Sequence, residues 1–293
     1  MPHSFRNKIL LLLCFFTRHY PKVRGISRLS HFLFNHPRFF DSVETCTINV
    51  KSAGKMILYP DQFIDRRILI FNEYEPELIK VLKTLLKEGD NIMDIGANIG
   101  YISLVAAQLI KGNGHVFSFE PSPEMYNKLK TNIRENHTSN ITALSFAISN
   151  HIGDAQFFIN NTGNSGMSSF RQDNSVSPIK VNAITIDSIL QKLPKIRLLK
   201  IDIEGAEFQA ISGMKSFIQR DRPTIIIEFT DQFLQQMDSS SSDLFQLLEN
   251  HGYHLWRINE KLIPLHSAPE YQCNVICIHN KEDERIMCNL VEK

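Results

Sequence analysis

The segment NIMDIGANIG, Asn91 to Gly100, constrains this chain more than any other. A short apolar run ends in Asp94 and enters a turn with glycines at 96 and 100, and an apolar helical pattern follows. Strand, glycine turn and helix together make the crevice at the carboxyl ends of strands where open α/β sheets bind ligands. A dinucleotide fold wants Gly-x-Gly-x-x-Gly here, its second glycine admitting the pyrophosphate. This chain instead reads Asp94-x-Gly96-x-x-x-Gly100, with Asn98 in the place of that second glycine. Asp94 repels phosphate and attracts an ammonium or sulfonium group. A nicotinamide-dependent oxidoreductase is therefore disfavoured.

The surrounding pattern is regular. Leu78, Leu82, Leu85 and Leu86 share one helical face that Gly89 terminates. Residues 91–95 read as a buried strand, 100–110 as a helix and 114–120 as a second strand. Ser122 suits an N-cap with Pro123 at the first helical position, opening a helix to about Glu135. Residues 141–148 read as a third strand, and 153–186 as a β-excursion with a polar loop at its tip. Strand 196–203 leads into a helix that carries Ala210, Ile211, Met214, Phe217 and Ile218 on its core side. Strand 223–229, helix 243–252 and two closing strands complete the chain. Alternating strands and helices predict a mostly parallel sheet covered on both faces, and closing strands with no long helix between them predict an antiparallel edge. The simplest division is a basic, partly helical extension over 1–64 and one domain over 65–293.

A second acid, Glu120, ends the next strand, where a carboxylate can accept two hydrogen bonds from ribose hydroxyls. An acid for a cation and an acid for a ribose suit S-adenosylmethionine. Pro121 and the helix start at Ser122 fix where Glu120 points. The blocks IMDIGANIGYIS, FSFEPSPEMYNKLKTNI and LLKIDIEGAEFQAISGM resemble the three signature blocks of the FkbM family of S-adenosylmethionine-dependent methyltransferases. YEPEL before the first block and IIIEF after the third add to a likeness that covers about residues 70 to 255. The resemblance implies the class I methyltransferase (Rossmann-like) fold: a mostly parallel seven-stranded sheet, helices on both faces, and an antiparallel last strand. It also implies methylation of a hydroxyl on a sugar, glycan or small metabolite, without naming the acceptor.

Methyl transfer to oxygen needs donor and acceptor in line and gains from removal of the hydroxyl proton. Asp202 and Glu204, just past the strand in KIDIEGAE, are the candidate base or acceptor-orienting groups. Glu207 suits a first-turn helix position without a catalytic role, and Lys200 shares a strand face with Asp202. Glu228, ending the next strand, is a weaker candidate. Asn98 and Tyr101 are placed at the methionine end of the cofactor with Glu75 at a helix start, and Ala147 at the adenine. Gly96, Gly100 and Asp202 complete the cofactor set. Three neighbouring acids could hold a divalent cation, but no histidines accompany them and no metal is expected. The loop at 161–169 reads as a substrate lid or an ordinary hairpin tip.

Net charge is +1, yet residues 1–40 carry seven basic residues and no acid, leaving the rest of the chain at −6. That residual negative charge disfavours a nucleic-acid partner. The apolar stretch Ile9 to Phe16 is too short to span a bilayer and lacks a cleavage site after it. Two readings stay open: a basic helix lying on an anionic membrane, or a helix packed on the domain. Five scattered cysteines read as reduced thiols of a cytoplasmic protein, with peripheral membrane association through residues 1–40 as the variant. The competing function is a membrane-surface or partner-binding protein with a degenerate methyltransferase domain.

Overall fold

The computed structural model describes residues 2–21, 23, 25–159 and 178–287. Helices α1 (Pro2–His19) and α2 (Ile26–Asn35) come first. A hairpin of β1 (Cys46–Val50) and β2 (Gly54–Leu58) and helices α3 (Phe63–Phe71) and α4 (Pro76–Leu85) follow. The α/β core then runs β3 (Asn91–Ile95), α5 (Tyr101–Ile110), β4 (His115–Phe119), α6 (Pro123–Glu135) and β5 (Ile141–Leu144). The excursion comprises β6 (Ala147–Ile148), β7 (Gly153–Phe157) and β8 (Ile179–Ile184), followed by α7 (Ile186–Ile189). The second half continues with β9 (Leu198–Ile201), α8 (Glu207–Ser212), α9 (Lys215–Asp221) and β10 (Thr224–Phe229). It ends with α10 (Asp231–Gln235), α11 (Ser241–Asn250), β11 (His254–Arg257), β12 (Ile263–Pro264), β13 (Cys273–Ile278) and α12 (Lys281–Met287).

The main sheet has the order β12-β11-β13-β10-β9-β3-β4-β5. Strands β5, β4, β3, β9 and β10 are parallel, while β13 runs antiparallel between β10 and β11. Order reverses between β3 and β9, the switch point at which ligands sit in such sheets. This is the expected class I methyltransferase sheet of seven strands, with the two-residue β12 added at its edge. Strand alternation feeds two cores: on β10, Ile226 faces one layer and Ile225 and Ile227 the other.

Three features differ from the sequence expectations. The run 141–148 is two strands, since the chain leaves the main sheet after Leu144 and Ala147–Ile148 pairs in parallel with β8. An apolar alternation looks the same whichever sheet it joins. The helix after β9 is split into α8 and α9 because Gly213 lies against residue 149: a Cβ there would sit 2.0 Å from the Ser149 carbonyl oxygen. Helix α12 was not foreseen. The loop at 161–169 lies outside the described residues.

The first 64 residues share the core. Leu10 and Cys14 of α1 are buried, Thr17 Oγ1 donates to the Ile70 carbonyl at 2.8 Å, and Arg18 donates to the Leu69 carbonyl at 2.7 Å. The hairpin is joined to α6 by Asn132 and Asn136, whose side-chain oxygens accept from the Ile57 and Lys55 backbones at 2.8 Å each. Phe63 begins α3, so residue 64 falls inside a helix rather than between two units.

Helix α12 is anchored by buried Asp283, which accepts from Arg197, Thr224 and Asn280. Burial alone would raise this carboxyl, but those donors and the Arg197 charge hold it below the ordinary aspartate value. Asp283→Ala should cost about 2 kcal/mol in urea titration, less than the roughly 3–5 of a fully buried pair, because Arg197 keeps 26% of its side chain in water. A carboxyl lowered by folding contributes stability above its unfolded value, about 3.9, and loses it as pH falls through the folded value. The gap between wild type and variant should therefore close below about pH 4.

Candidate active site

The site forms where β3, β4 and β9 end. Asp94 pairs in register with Ser118 on β4 and Lys200 on β9, so the three side chains form one polar row inside an apolar layer. Ser103 Oγ donates to Asp94 Oδ2 at 2.5 Å and lies 2.7 Å from Ser118 Oγ. Lys200 Nζ is 3.8 Å from Asp94 Oδ1, 3.2 Å from Asp202 Oδ2 and 3.5 Å from the Gly96 carbonyl oxygen. Burial opposes the Lys200 ammonium, but Asp202, Asp94 and Glu75 together hold its pKa above the usual lysine value.

The glycine turn is locked from both sides. The backbone N–H groups of Gly96 and Ala97 both donate to the Phe119 carbonyl, at 2.9 and 3.0 Å. Gly96 has φ +82°, and a Cβ there would lie 1.9 Å from the Asp202 carbonyl oxygen. Asn98 takes the left-handed conformation at φ 51°, which asparagine tolerates and which a glycine would otherwise supply. Gly100 starts α5, and a Cβ on it would meet Leu129 Cδ1 at 2.6 Å. That glycine brings α5 close to α6.

Glu120 accepts from the Asn98 and Ser122 backbone N–H groups at 2.8 and 2.9 Å. Burial pushes its carboxyl up to about 7 against those two hydrogen bonds. Each oxygen keeps lone pairs for a further donor in the cavity.

A cavity of about 310 Å³ opens over this turn. Of the residues singled out from sequence, Glu75, Gly96, Asn98, Tyr101, Glu120, Pro121, Ala147, Asp202 and Glu204 line it. Asp94 and Gly100 do not. Asp94 faces Ser103 and Lys200 beneath the turn, because its strand position alternates toward the α5 layer, and it does not reach the cavity as the sequence reading expected. Tyr101 Oη accepts from the Tyr74 backbone at 3.2 Å.

Carboxylates gather at one end. Asp202, Glu204 and Glu228 offer oxygens that all lie within 4.8 Å of one another, spacing that could hold a hard divalent cation. Glu228 accepts from Gln272 at 2.8 Å and Thr230 at 3.3 Å, and burial with Asp202 nearby raises it to about 8. Glu75 accepts from Asn274 at 2.9 Å and is raised to about 7 by burial and then Asp202. Glu207 stands apart. It is buried and accepts from the backbones of Ile203 and Gly205 at 3.0 Å, so it staples the loop that presents Asp202 and Glu204. Sequence reading did not find Phe63, Ile64, Phe157, Phe233 or Gln272, which also line the cavity. Apolar pocket walls carry the same letters as core.

Strand order, glycine turn and paired acids define a class I methyltransferase. The family model for the methyltransferase FkbM domain matches residues 94–255, and the chain belongs to that family. The family is one of S-adenosylmethionine-dependent methyltransferases, and the residues here fit that cofactor: the Glu120 carboxylate lines the cavity, held by two backbone N–H groups with lone pairs left for further donors. The chain is similar to the hexuronic acid methyltransferase AglP of Haloferax volcanii, 25% identical over 147 residues that make up 50% of this chain and 58% of that protein. It thus spans a little over half of that relative. A protein-L-isoaspartate O-methyltransferase of Methanococcoides burtonii is 34% identical over 71 residues, 24% of this chain and 35% of that one. Among solved structures, methyltransferase FkbM from Methylobacillus flagellatus overlaps 67% of this chain and 47% of its own at TM-score 0.45 and 18% identity. No helix among the described residues is long and apolar enough to cross a membrane.

Two outcomes follow from this geometry. Gly96→Ala should destabilise the protein by at least about 2 kcal/mol in thermal unfolding, since its φ and the Asp202 carbonyl both oppose a side chain. A carboxyl raised by folding binds its proton more tightly in the native state, so stability is full below the unfolded value and falls as pH rises through the folded one. With Glu228 near 8, stability should decline between about pH 5 and 8, and Glu228→Gln should flatten that decline.

Proposed function

We propose that this chain is an S-adenosylmethionine-dependent O-methyltransferase that acts on a hydroxyl of a sugar, glycan or small metabolite. The observation that carries the reading is the carboxylate group Asp202, Glu204 and Glu228 at the end of the cofactor cavity. A sugar acceptor presents several hydroxyl donors, and carboxylates in a largely apolar pocket recognise such donors while excluding water. The likeness to a hexuronic acid methyltransferase supports a sugar acceptor.

In this reading Glu120 accepts the ribose hydroxyls, Pro121 and Ala147 border the nucleoside, and Asn98, Tyr101 and Glu75 surround the methionine end. Lys200 and Asp94 hold the turn and Asp202 in place. The bound cofactor supplies an electrophilic methyl on a sulfonium. Asp202 and Glu204 orient the acceptor hydroxyl and draw off its proton as its oxygen becomes nucleophilic. Glu75, raised to about 7 by burial and then by Asp202, is suited to take that proton onward near pH 7.

Glu120→Ala should abolish the heat of S-adenosylhomocysteine binding in titration calorimetry. Asp202→Asn should retain binding within about tenfold while lowering turnover on uronic-acid-bearing acceptors by about 10²–10⁴. Normal turnover by Asp202→Asn would remove it from the reaction. Binding with no transfer to any hydroxyl acceptor would instead favour a domain that keeps the cofactor and has lost the chemistry.

A further inference from the structure

Helix α1 is apolar on two sides. Leu10, Cys14 and Thr17 are buried against the domain. The opposite face carries Ile9, Leu12, Phe15 and Phe16, with Tyr20 just past the helix end, each between 42% and 53% exposed. Positions 9, 12, 16 and 20 advance by three or four residues, so they form one continuous stripe along the helix. Phe16 stacks obliquely on Tyr20, with ring centroids 6.0 Å apart, and Phe15 lies 5.9 Å from Phe16, so the rings make a patch rather than scattered exposures. A helix that only covered a core would turn polar side chains outward on this face.

The segment that carries the patch is basic. Residues 1–40 hold seven lysines and arginines and no acid. Lys8 on α1, Arg28 on α2 and Arg38 after it are exposed. A second copy seated symmetrically on this face would set the basic segment against itself. An anionic bilayer would both bury the aromatic stripe and attract the basic segment.

We propose that α1 lies in the plane of an anionic lipid surface and holds this methyltransferase there as a peripheral membrane protein. The 18-residue helix lies flat, its inner face bonded to α3 through Thr17 and Arg18 and its outer face in the headgroup boundary. Helix α3 also carries Phe63 and Ile64 into the cavity. A single helix therefore separates the bilayer seat from the site, which suits an acceptor displayed at the membrane surface.

Removing residues 1–40 would strip Leu10, Cys14 and Leu33 from the core, so the test uses surface substitutions in the full chain. Vesicles of phosphatidylcholine alone, or mixed equally with phosphatidylglycerol, would be sedimented with wild type and with the double variant Leu12→Glu/Phe16→Glu. Wild type should partition at least about tenfold more strongly onto the anionic vesicles, and the double variant should lose about tenfold or more of that binding. Added salt should weaken wild-type binding. The variant's melting curve and its stabilisation by S-adenosylhomocysteine should match wild type, which separates lost membrane contact from lost fold and from failure of the cofactor reading. Equal partition onto both vesicle types, or undiminished pelleting of the double variant, would overturn the proposal. So would a wild-type dimer in sedimentation velocity that the same substitutions dissociate without any vesicle binding, since the face would then belong to a second copy.

Discussion

The Lys200 ammonium governs this site. It is buried at the switch point of the sheet, and a buried charge persists only with partners close by. Its partners come from three places: Asp94 on the neighbouring strand, the Gly96 carbonyl in the turn, and Asp202 two residues along its own chain. Satisfying one ammonium thus draws the glycine turn and the loop after β9 together. Their contact is tight enough that a single methyl at 96 would strike the Asp202 carbonyl. The hydroxyl chain from Asp94 through Ser103 to Ser118 ties the same point to α5 and β4. The Lys200–Asp202 contact is therefore an ion pair, and it is also the joint between the glycine turn and the carboxylate end of the cavity.

The electrostatics beyond that joint are unbalanced. Glu75, Asp202, Glu204 and Glu228 face the cavity with Lys200 as a basic neighbour. Burial and mutual repulsion lift Glu75 and Glu228 toward neutral values. Opposite charge entering a site of this kind favours the ionised carboxylates. A sulfonium-bearing ligand relieves the repulsion that the folded protein stores there, whereas a pyrophosphate would deepen it. The summed carboxylates therefore favour a cation over an anion in this cavity, while Asp94 lies below the turn, paired with Lys200.

What could be read from the letters follows the range of the interaction. Glu120 was legible because its partners are local: the N-cap at Ser122 and the turn at Asn98 fix it within its own stretch of chain. The sheet order was legible because strands alternate with helices. The direction of Asp94 was not, since it depends on register with Lys200 across two strands joined by a long excursion. The break after Leu144 was hidden for a similar reason: Ala147 and Ile148 keep the apolar character of the strand before them while joining another sheet. Phe63, Phe157 and Phe233 were unreadable as site residues because a cavity wall and a core make the same demand for apolar surface.

The distribution of those wall residues bears on where acceptor choice resides. The family pattern begins at Asp94 and ends at residue 255, and it contains the glycine turn, Glu120, Asp202, Glu204 and Glu228. Phe63, Ile64, Tyr74 and Glu75 precede that span, and Gln272, which holds Glu228, follows it. The shared span thus supplies the glycine turn and most of the carboxylates, while flanking segments complete the enclosure. Those upstream residues are bound in turn to α1 through α3, so the segment with the basic, apolar outer face also shapes one wall of the pocket. On the proposed function, these flanking walls add shape to the acceptor pocket that Asp202 and Glu204 head, without touching the glycine turn.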